Sequence, residues 1–232
     1  MAAPFYNSLC ERNHDRKPET STNKRETVFI VDDDESIREG LSNFLEAVGI
    51  DAKCYSTAEG FSAHWSEAMA GCLLLDARLP GISGVEFQER LRKSGIKIPV
   101  IFMTAHGDIP MVRKVMKAGA VEFLTKPFQK DELLHAVEQA FASDRARRKE
   151  EAILDSIRAC IDSLTTRERE VMGMVTAGLL NKQIAGELNL SEITVKLHRR
   201  QVMEKMRAGS LAELVKMCER AKEPSWSVHL NE

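Results

Sequence analysis

With 232 residues, 43% of them hydrophobic and 29% charged, the chain has apolar material for one large or two modest domains and falls outside the disordered class. A net charge of −2 excludes a global field that draws the whole chain to nucleic acid or membrane, and no apolar run approaches the roughly 18 residues of a membrane span. The charge is unevenly placed, with 18 acidic against 13 basic side chains from Thr27 to Arg145 and 11 basic against 7 acidic from Ser163 to Lys222. An acidic half followed by a basic half predicts two domains with different partners.

The opening decapeptide MAAPFYNSLC runs at once into charged residues, so no secretory leader is expected. Cys10, Cys54, Cys72, Cys160 and Cys218 are odd in number and lack CxxC spacing, which reads as reduced thiols in a cytoplasmic protein. Residues 1–26 are polar and aperiodic and read as a flexible extension.

From Thr27 the pattern alternates. Apolar runs at Val28–Val31, Ala52–Tyr55, Cys72–Leu75, Val100–Met103 and Val121–Leu124 read as strands. Between them, residues recur at helical spacing: Ile37, Leu41, Phe44, Leu45 and Val48; Phe61 and Trp65; Phe87 and Leu91 after Ser83; Val112, Val115 and Met116; and Leu133, Leu134 and Val137. Five strand–helix units predict a parallel sheet with helices on both faces, and unbroken apolar strands fit a sheet buried on both sides. From Asp131 to about Ile161 no Pro or Gly interrupts the chain, which predicts a long, highly charged helical linker.

Beyond Asp162 the pattern is all helical. Thr165 or Thr166 can cap a helix carrying Val171, Met174 and Val175, and Asn181 can cap one carrying Ile184, Ala185 and Leu188. Ser191 can cap a third with Ile193, Val195, Val202 and Met206, ended by Gly209, and Ser210 opens a fourth with Leu211, Leu214, Val215 and Cys218. The expected organisation is therefore an extension 1–26, an α/β domain 27–146, a linker 147–161, a helical domain 162–222 and a tail 223–232.

Ligands of such sheets bind beyond the carboxyl ends of the strands. Asp32, Asp33, Asp76, Thr104 and Lys126 stand there, at the ends of four strands. The set suits phosphoryl transfer to a carboxylate. Acids hold Mg²⁺, which favours oxygen ligands; Asp76, alone at its strand end, suits the nucleophile; a hydroxyl and an ammonium hold the product phosphate. Singly, each residue has a plainer reading as a helix cap, a β-former or a turn lysine. Four strand ends of one sheet together favour the chemistry.

In the helical half, five basic residues and one acid lie between Lys196 and Arg207. If Val195, Val202 and Met206 face the core, Lys196, Leu197 and Arg200 face outward together, as on a helix that enters a major groove.

These motifs carry a family resemblance. Asp32-Asp33, Asp76, Thr104 and Lys126-Pro127 resemble the receiver domain of two-component response regulators over about Thr27 to Ala146. That likeness implies a doubly wound five-stranded parallel sheet of order 2-1-3-4-5 and Asp76 as acceptor of a phosphoryl group from a sensor histidine kinase. It implies one Mg²⁺ on Asp33, Asp76 and the backbone carbonyl of Arg78, with Asp32 acting through water. Thr104 and Lys126 bind phosphate, the Lys126–Pro127 bond is cis, Phe123 is the aromatic switch, and Arg78 and His106 tune dephosphorylation.

The stretch from about Leu164 to Lys222 is similar to the LuxR-type helix-turn-helix, on Glu168, Asn181-Lys182, Ile184-Ala185, Thr194-Val195-Lys196 and His198-Arg199. It implies base contacts by Lys196, Leu197 and Arg200, phosphate contacts by Asn181, Lys182, Thr194, His198 and Arg199, and a dimer contact at Ala212, Val215 and Lys216.

The pair of domains resembles the NarL/FixJ group, nearest its FixJ-like branch. That resemblance implies a homodimer through Met111, Val112, Val115 and Ala118 on phosphorylation, inverted half-sites on double-stranded DNA, and RNA polymerase as a further partner, with activation the expected outcome. It implies no enzyme beyond the receiver's own phosphorylation and dephosphorylation. The rival readings are a Mg²⁺-dependent phosphatase, which lacks a second general acid where Arg78 stands, and a phosphorylation-independent DNA-binding regulator with a silent receiver.

Overall fold

The computed structural model describes residues 25–105 and 119–221. The chain divides between Asp144 and Arg145 into two compact units. The first contains β1 (Thr27–Val31), α1 (Glu35–Ala47), β2 (Asp51–Tyr55), α2 (Ala58–His64), β3 (Gly71–Asp76), β4 (Arg78–Leu79), β5 (Ile82–Ser83), α3 (Gly84–Lys93), β6 (Val100–Thr104) and β7 (Glu122–Thr125).

The sheet runs β2-β1-β3-β6-β7, parallel throughout. Counted over these five strands alone, that is the expected 2-1-3-4-5 order. β4 and β5 form a two-residue antiparallel ribbon directly after Asp76.

The apolar strand runs are explained by what lies on each side. Phe29, Val31, Leu73, Leu75, Val100 and Phe102 pack on the face covered by Ala58 and Phe61 of α2 and Val85 and Leu91 of α3. Their alternates Val28, Ile30, Cys72, Leu74, Ile101 and Met103 pack on the other face against Leu41 and Leu45 of α1 and Leu133, Ala136, Val137 and Ala140 further along the chain. Successive side chains of a strand point to opposite faces, so a sheet covered on both sides needs apolar residues at every position.

Helix starts follow side-chain chemistry. Asp34 accepts from the amides of Ser36 and Ile37, Thr57 from Gly60, and Ser83 forms a capping box with Glu86. Trp65, expected on a helix, instead ends α2 in an extended conformation. At the start of β3 only glycine fits. Gly71 has φ +138°, and a Cβ there would lie 1.9 Å from the Thr27 carbonyl oxygen.

α4 (Lys130–Asp162) is one helix of 33 residues that spans the division. Leu133, Ala136, Val137, Ala140 and Phe141 belong to the first core, whereas Ile157 and Ile161 belong to the second. Asp144, buried on this helix, accepts a hydrogen bond from the Gly71 amide at 3.1 Å.

The second unit continues with α5 (Thr166–Thr176), α6 (Asn181–Leu188), α7 (Glu192–Met206) and α8 (Leu211–Ala221) around Val171, Ile184, Val195, Val202, Met206 and Leu214. Thr165 caps α5 in a capping box with Glu168, and Ser191 caps α7.

Three expectations here need correction. The N-cap of α6 is Leu180, with Asn181 the first helical residue, and Gln183 reaches back to the Leu180 amide at 2.8 Å. α7 ends at Arg207 in the left-handed conformation, two residues before Gly209. Ile193 does not join Val195, Val202 and Met206 in the core but stands exposed. At 100° per residue, positions 193 and 195 lie on opposite sides of the helix.

Candidate functional site

Parallel register builds the first site. Val31 pairs with Leu75, so Asp32 and Asp76 follow side by side at the ends of β1 and β3. Asp76 pairs with Met103, which places Thr104 one step further along β6; Thr104 pairs with Thr125, and Lys126 comes next. Adjacent strands lie about 4.8 Å apart, which is bridging distance for short polar side chains.

One carboxylate oxygen from each of Asp32, Asp33 and Asp76 lies within 4.8 Å of the others. The Lys126 ammonium bridges two of these acids, donating to Asp32 Oδ2 at 2.6 Å and Asp76 Oδ2 at 2.8 Å. Backbone amides hold the remaining oxygens: Asp34 N–H donates to Asp32 Oδ1 at 3.0 Å and Arg78 N–H to Asp76 Oδ1 at 2.9 Å.

Asp32 is fully buried, Asp33 exposed and Asp76 partly covered. Burial pushes the Asp32 carboxyl up, against the hydrogen bonds from Lys126 and the Asp34 amide. Burial alone would pull Lys126 down, but hydrogen bonds to Asp32 and Asp76 override it and hold the ammonium above its ordinary value.

Thr104 is buried at the end of β6, and its carbonyl accepts from the Lys126 amide at 2.7 Å. The Lys126–Pro127 peptide is cis. Phe123 is half-buried, packs against the core under α2 and α3, and lines an open groove with Lys126, Pro127, Glu132 and His135. Arg78 is exposed in β4. His106, Met111, Val112, Val115 and Ala118 lie outside the described residues.

Two contributors fall outside the strand-end set. Gly84 opens α3 against the site, and a Cβ there would lie 2.5 Å from the Asp76 carbonyl oxygen. Arg38, half-buried near the start of α1, donates to the Asp32 carbonyl at 2.8 Å. For Gly84 the Pro80-Gly81 pair four residues earlier is a turn signal from which a tight return after Asp76 can be read. Nothing in the sequence tied Arg38 to Asp32.

The second candidate surface is α7. Lys196, Leu197 and Arg200 are exposed on one side, opposite buried Val195, Val202 and Met206. Arg200 Nε donates to Glu204 at 2.8 Å. Arg199 Nη1 donates to Asn181 Oδ1 at 2.7 Å, tying α7 to the start of α6. Lys182 is exposed, whereas Thr194 and His198 are half-buried. Beneath this face, buried Glu168 takes hydrogen bonds from Lys205 at 2.6 Å and from the Thr165 amide at 2.8 Å. On α8, Ala212 and Lys216 are exposed and Val215 half-buried. Among the described residues no helix is long and apolar enough to cross a membrane.

An acid-lined doubly wound sheet followed by a helix-turn-helix unit defines the class of receiver-controlled DNA-binding proteins. Residues 28–138 match the response regulator receiver domain, and residues 162–218 match the bacterial regulatory proteins of the luxR family. Nodulation protein W of Bradyrhizobium diazoefficiens is 45% identical over 200 residues, covering 86% of this chain and 88% of that protein. The transcriptional regulatory protein FixJ of Rhizobium meliloti is 43% identical over 191 residues, covering 82% and 94%. The solved structure of the response regulator StyR is similar at TM-score 0.75 and 47% identity, covering 84% of this chain and 99% of that one. The chain belongs to the NarL/FixJ family of two-component response regulators, with a LuxR-type DNA-binding domain and a role in transcription regulation.

Proposed function

We propose that the chain is operated by phosphorylation of Asp76. In this reading an Asp76 oxygen forms a bond to phosphorus as the P–N bond to a sensor kinase's histidine breaks and the imidazole leaves. The observation that carries the reading is the Lys126 ammonium held between Asp32 and Asp76 at the carboxyl edge of the sheet. The phosphoryl group adds a charge of about −1.5 to −2, and Lys126 can follow it from carboxylate to phosphate. Thr104 holds a second phosphate oxygen through its hydroxyl. Phe123 follows Thr104 inward, and Arg78 and His106 set how long the acyl phosphate survives.

The donor set fits Mg²⁺, because three carboxylates within one coordination sphere are oxygen ligands of the kind this ion selects. Asp33, Asp76 and the Arg78 carbonyl would hold it directly and Asp32 through water. The ion supplies positive charge that offsets the phosphate oxygens. The chemistry is confined to the chain's own carboxylate, so the protein is a switch and not an enzyme with a free substrate.

Downstream, phosphorylation favours a homodimer through Met111, Val112, Val115 and Ala118, with Ala212, Val215 and Lys216 as the contact of the DNA-binding domains. Two copies of α7 then reach inverted half-sites, with Lys196, Leu197 and Arg200 toward base edges. Asn181, Lys182, Thr194, His198 and Arg199 lie toward phosphates, and RNA polymerase is the later partner. A preference of about 2.7 kcal/mol for the active form shifts its ratio a hundredfold.

The test is Mg²⁺-dependent uptake of phosphate from acetyl phosphate, read by intact mass on wild type and Asp76→Asn. One adduct of about 80 Da, on wild type only, is expected. Absence of the adduct with both acetyl phosphate and a kinase, together with unchanged DNA affinity after exposure to either, would leave a DNA-binding regulator with a silent receiver.

A further inference from the structure

The outward side of α7 carries Ile193, Lys196, Leu197, Arg200 and Glu204, one stripe at spacings of three and four. Ile193, in the first turn, is 79% exposed, more than any other large hydrophobic side chain named among the described residues; Leu197, one turn on, is 54% exposed. Neither belongs to the core of the second unit. A β-branched residue is also a weak choice for a helix surface, where its χ1 freedom is restricted. Ile193 therefore serves neither packing nor helix formation. It is presented.

We propose that Ile193 reads DNA sequence, by packing with Leu197 on thymine C5-methyl groups in the major groove. The inference rests on the reading of α7 as the recognition helix. Major-groove edges offer donors, acceptors and one apolar group, the thymine methyl; isoleucine complements only the last. Position favours it too, because the N-terminal residues of a recognition helix reach base edges. The Cβ atoms of residues i and i+4 lie about 5–6 Å apart, so Ile193 and Leu197 span about two base steps.

Lys196 and Arg200 share the stripe and give it the positive charge that a polyanionic duplex attracts. A protein partner covering the same stripe would have to desolvate both cations. The geometry thus favours a half-site with thymine on the side read by the first turn of α7, beyond the base pairs reached by Lys196 and Arg200.

The experiment selects duplexes from a random library with the full-length protein, in Mg²⁺ and acetyl phosphate. The selected duplex is then remade with deoxyuridine in place of each thymine in turn, which removes the methyl and leaves base pairing intact. Wild type is expected to lose about 4-fold in affinity at one particular thymine of each half-site, the worth of one buried methyl. Ile193→Ala is expected to bind the thymine and uracil copies of that position equally, to keep the discrimination at other positions, and to retain the salt dependence set by phosphate contacts.

Indifference of wild type to every thymine-to-uracil change, or full discrimination by Ile193→Ala at every position, overturns the proposal. So does a change of sedimentation coefficient in Ile193→Ala with discrimination intact, which would assign the stripe to a protein contact. Failure of wild type to enrich any duplex removes the DNA-binding reading and the proposal with it.

Discussion

The same substitution, glycine to alanine, should have opposite signs at two positions of the receiver unit. Gly84 opens α3, and an added Cβ would sit 2.5 Å from the Asp76 carbonyl oxygen and 3.1 Å from both Ala77 Cα and Phe102 Cε1. Ordinary contact begins at 3.4 Å, so the closest approach is short by about 0.9 Å. The nearest atom is backbone, which cannot rotate away. Overpacking of this kind costs about 1–3 kcal/mol. Gly40 lies mid-way along α1 with nothing within 4 Å of an added Cβ, so Gly40→Ala gains helix propensity worth about 0.8–1 kcal/mol. Urea unfolding followed by near-ultraviolet and far-ultraviolet circular dichroism reads both. With m near 1–3 kcal/mol per molar for a small domain, the Gly84→Ala midpoint should fall by about 1 M and that of Gly40→Ala should rise by roughly half that. Because the α3 start rests on the Asp76 carbonyl, Gly84→Ala should also slow uptake of phosphate from acetyl phosphate, whereas Gly40→Ala should not. Equal midpoints for the two variants, or a stabilised Gly84→Ala, would refute the packing argument.

Leu180 occupies an N-cap with suitable extended geometry but no capping side chain, and is 69% exposed. Leu180→Ser should stabilise α6 by about 1 kcal/mol, seen as roughly five-fold slower amide exchange over residues 181–188; unchanged exchange would sink the idea. Glu168→Gln should destabilise the second unit by about 2 kcal/mol, because it discharges a hydrogen bond to Lys205 and weakens the cap at Thr165. Burial alone would raise the Glu168 carboxyl, but hydrogen bonds from Lys205 and Thr165 outweigh it and hold the group below the ordinary carboxylate range. A lowered folded pKa means the stabilisation is complete above the unfolded value of about 4.3 and is lost as pH falls through the folded value. Acid titration of unfolding should therefore show a steeper loss below about pH 4 in wild type than in Glu168→Gln, and parallel curves would contradict the assignment.

The receiver fold was legible because a sheet buried on both faces needs continuous apolar strands, and those runs end at Asp32, Asp76, Thr104 and Lys126 where parallel register brings them together. Side-chain contacts between helices, which no strand register lines up, were not legible. Lys205 reaches Glu168 and Arg199 reaches Asn181 with no local pattern to announce them. Hydrophobicity alone puts Ile193 in the core, but the helical period sets it opposite Val195, and phase decides. The α6 cap follows backbone geometry and not residue preference. Asn181 is the better capping residue, yet the backbone turns extended one residue earlier, at Leu180.

The bridge from Lys126 to Asp32 and Asp76 also bears on the order of assembly. Its three members are 94 and 50 residues apart in the chain, and the ammonium is contributed just after the last strand of the sheet. Until β7 docks, two carboxylates face each other across neighbouring strands with no counter-charge from the lysine, a repulsion that weakens the edge where they meet. Docking β7 converts that repulsion into attraction. During synthesis, a chain that has emerged only as far as β6 carries Asp32 and Asp76 without the lysine between them, so the electrostatic setting of the acid cluster is a property of the finished sheet and of no shorter fragment.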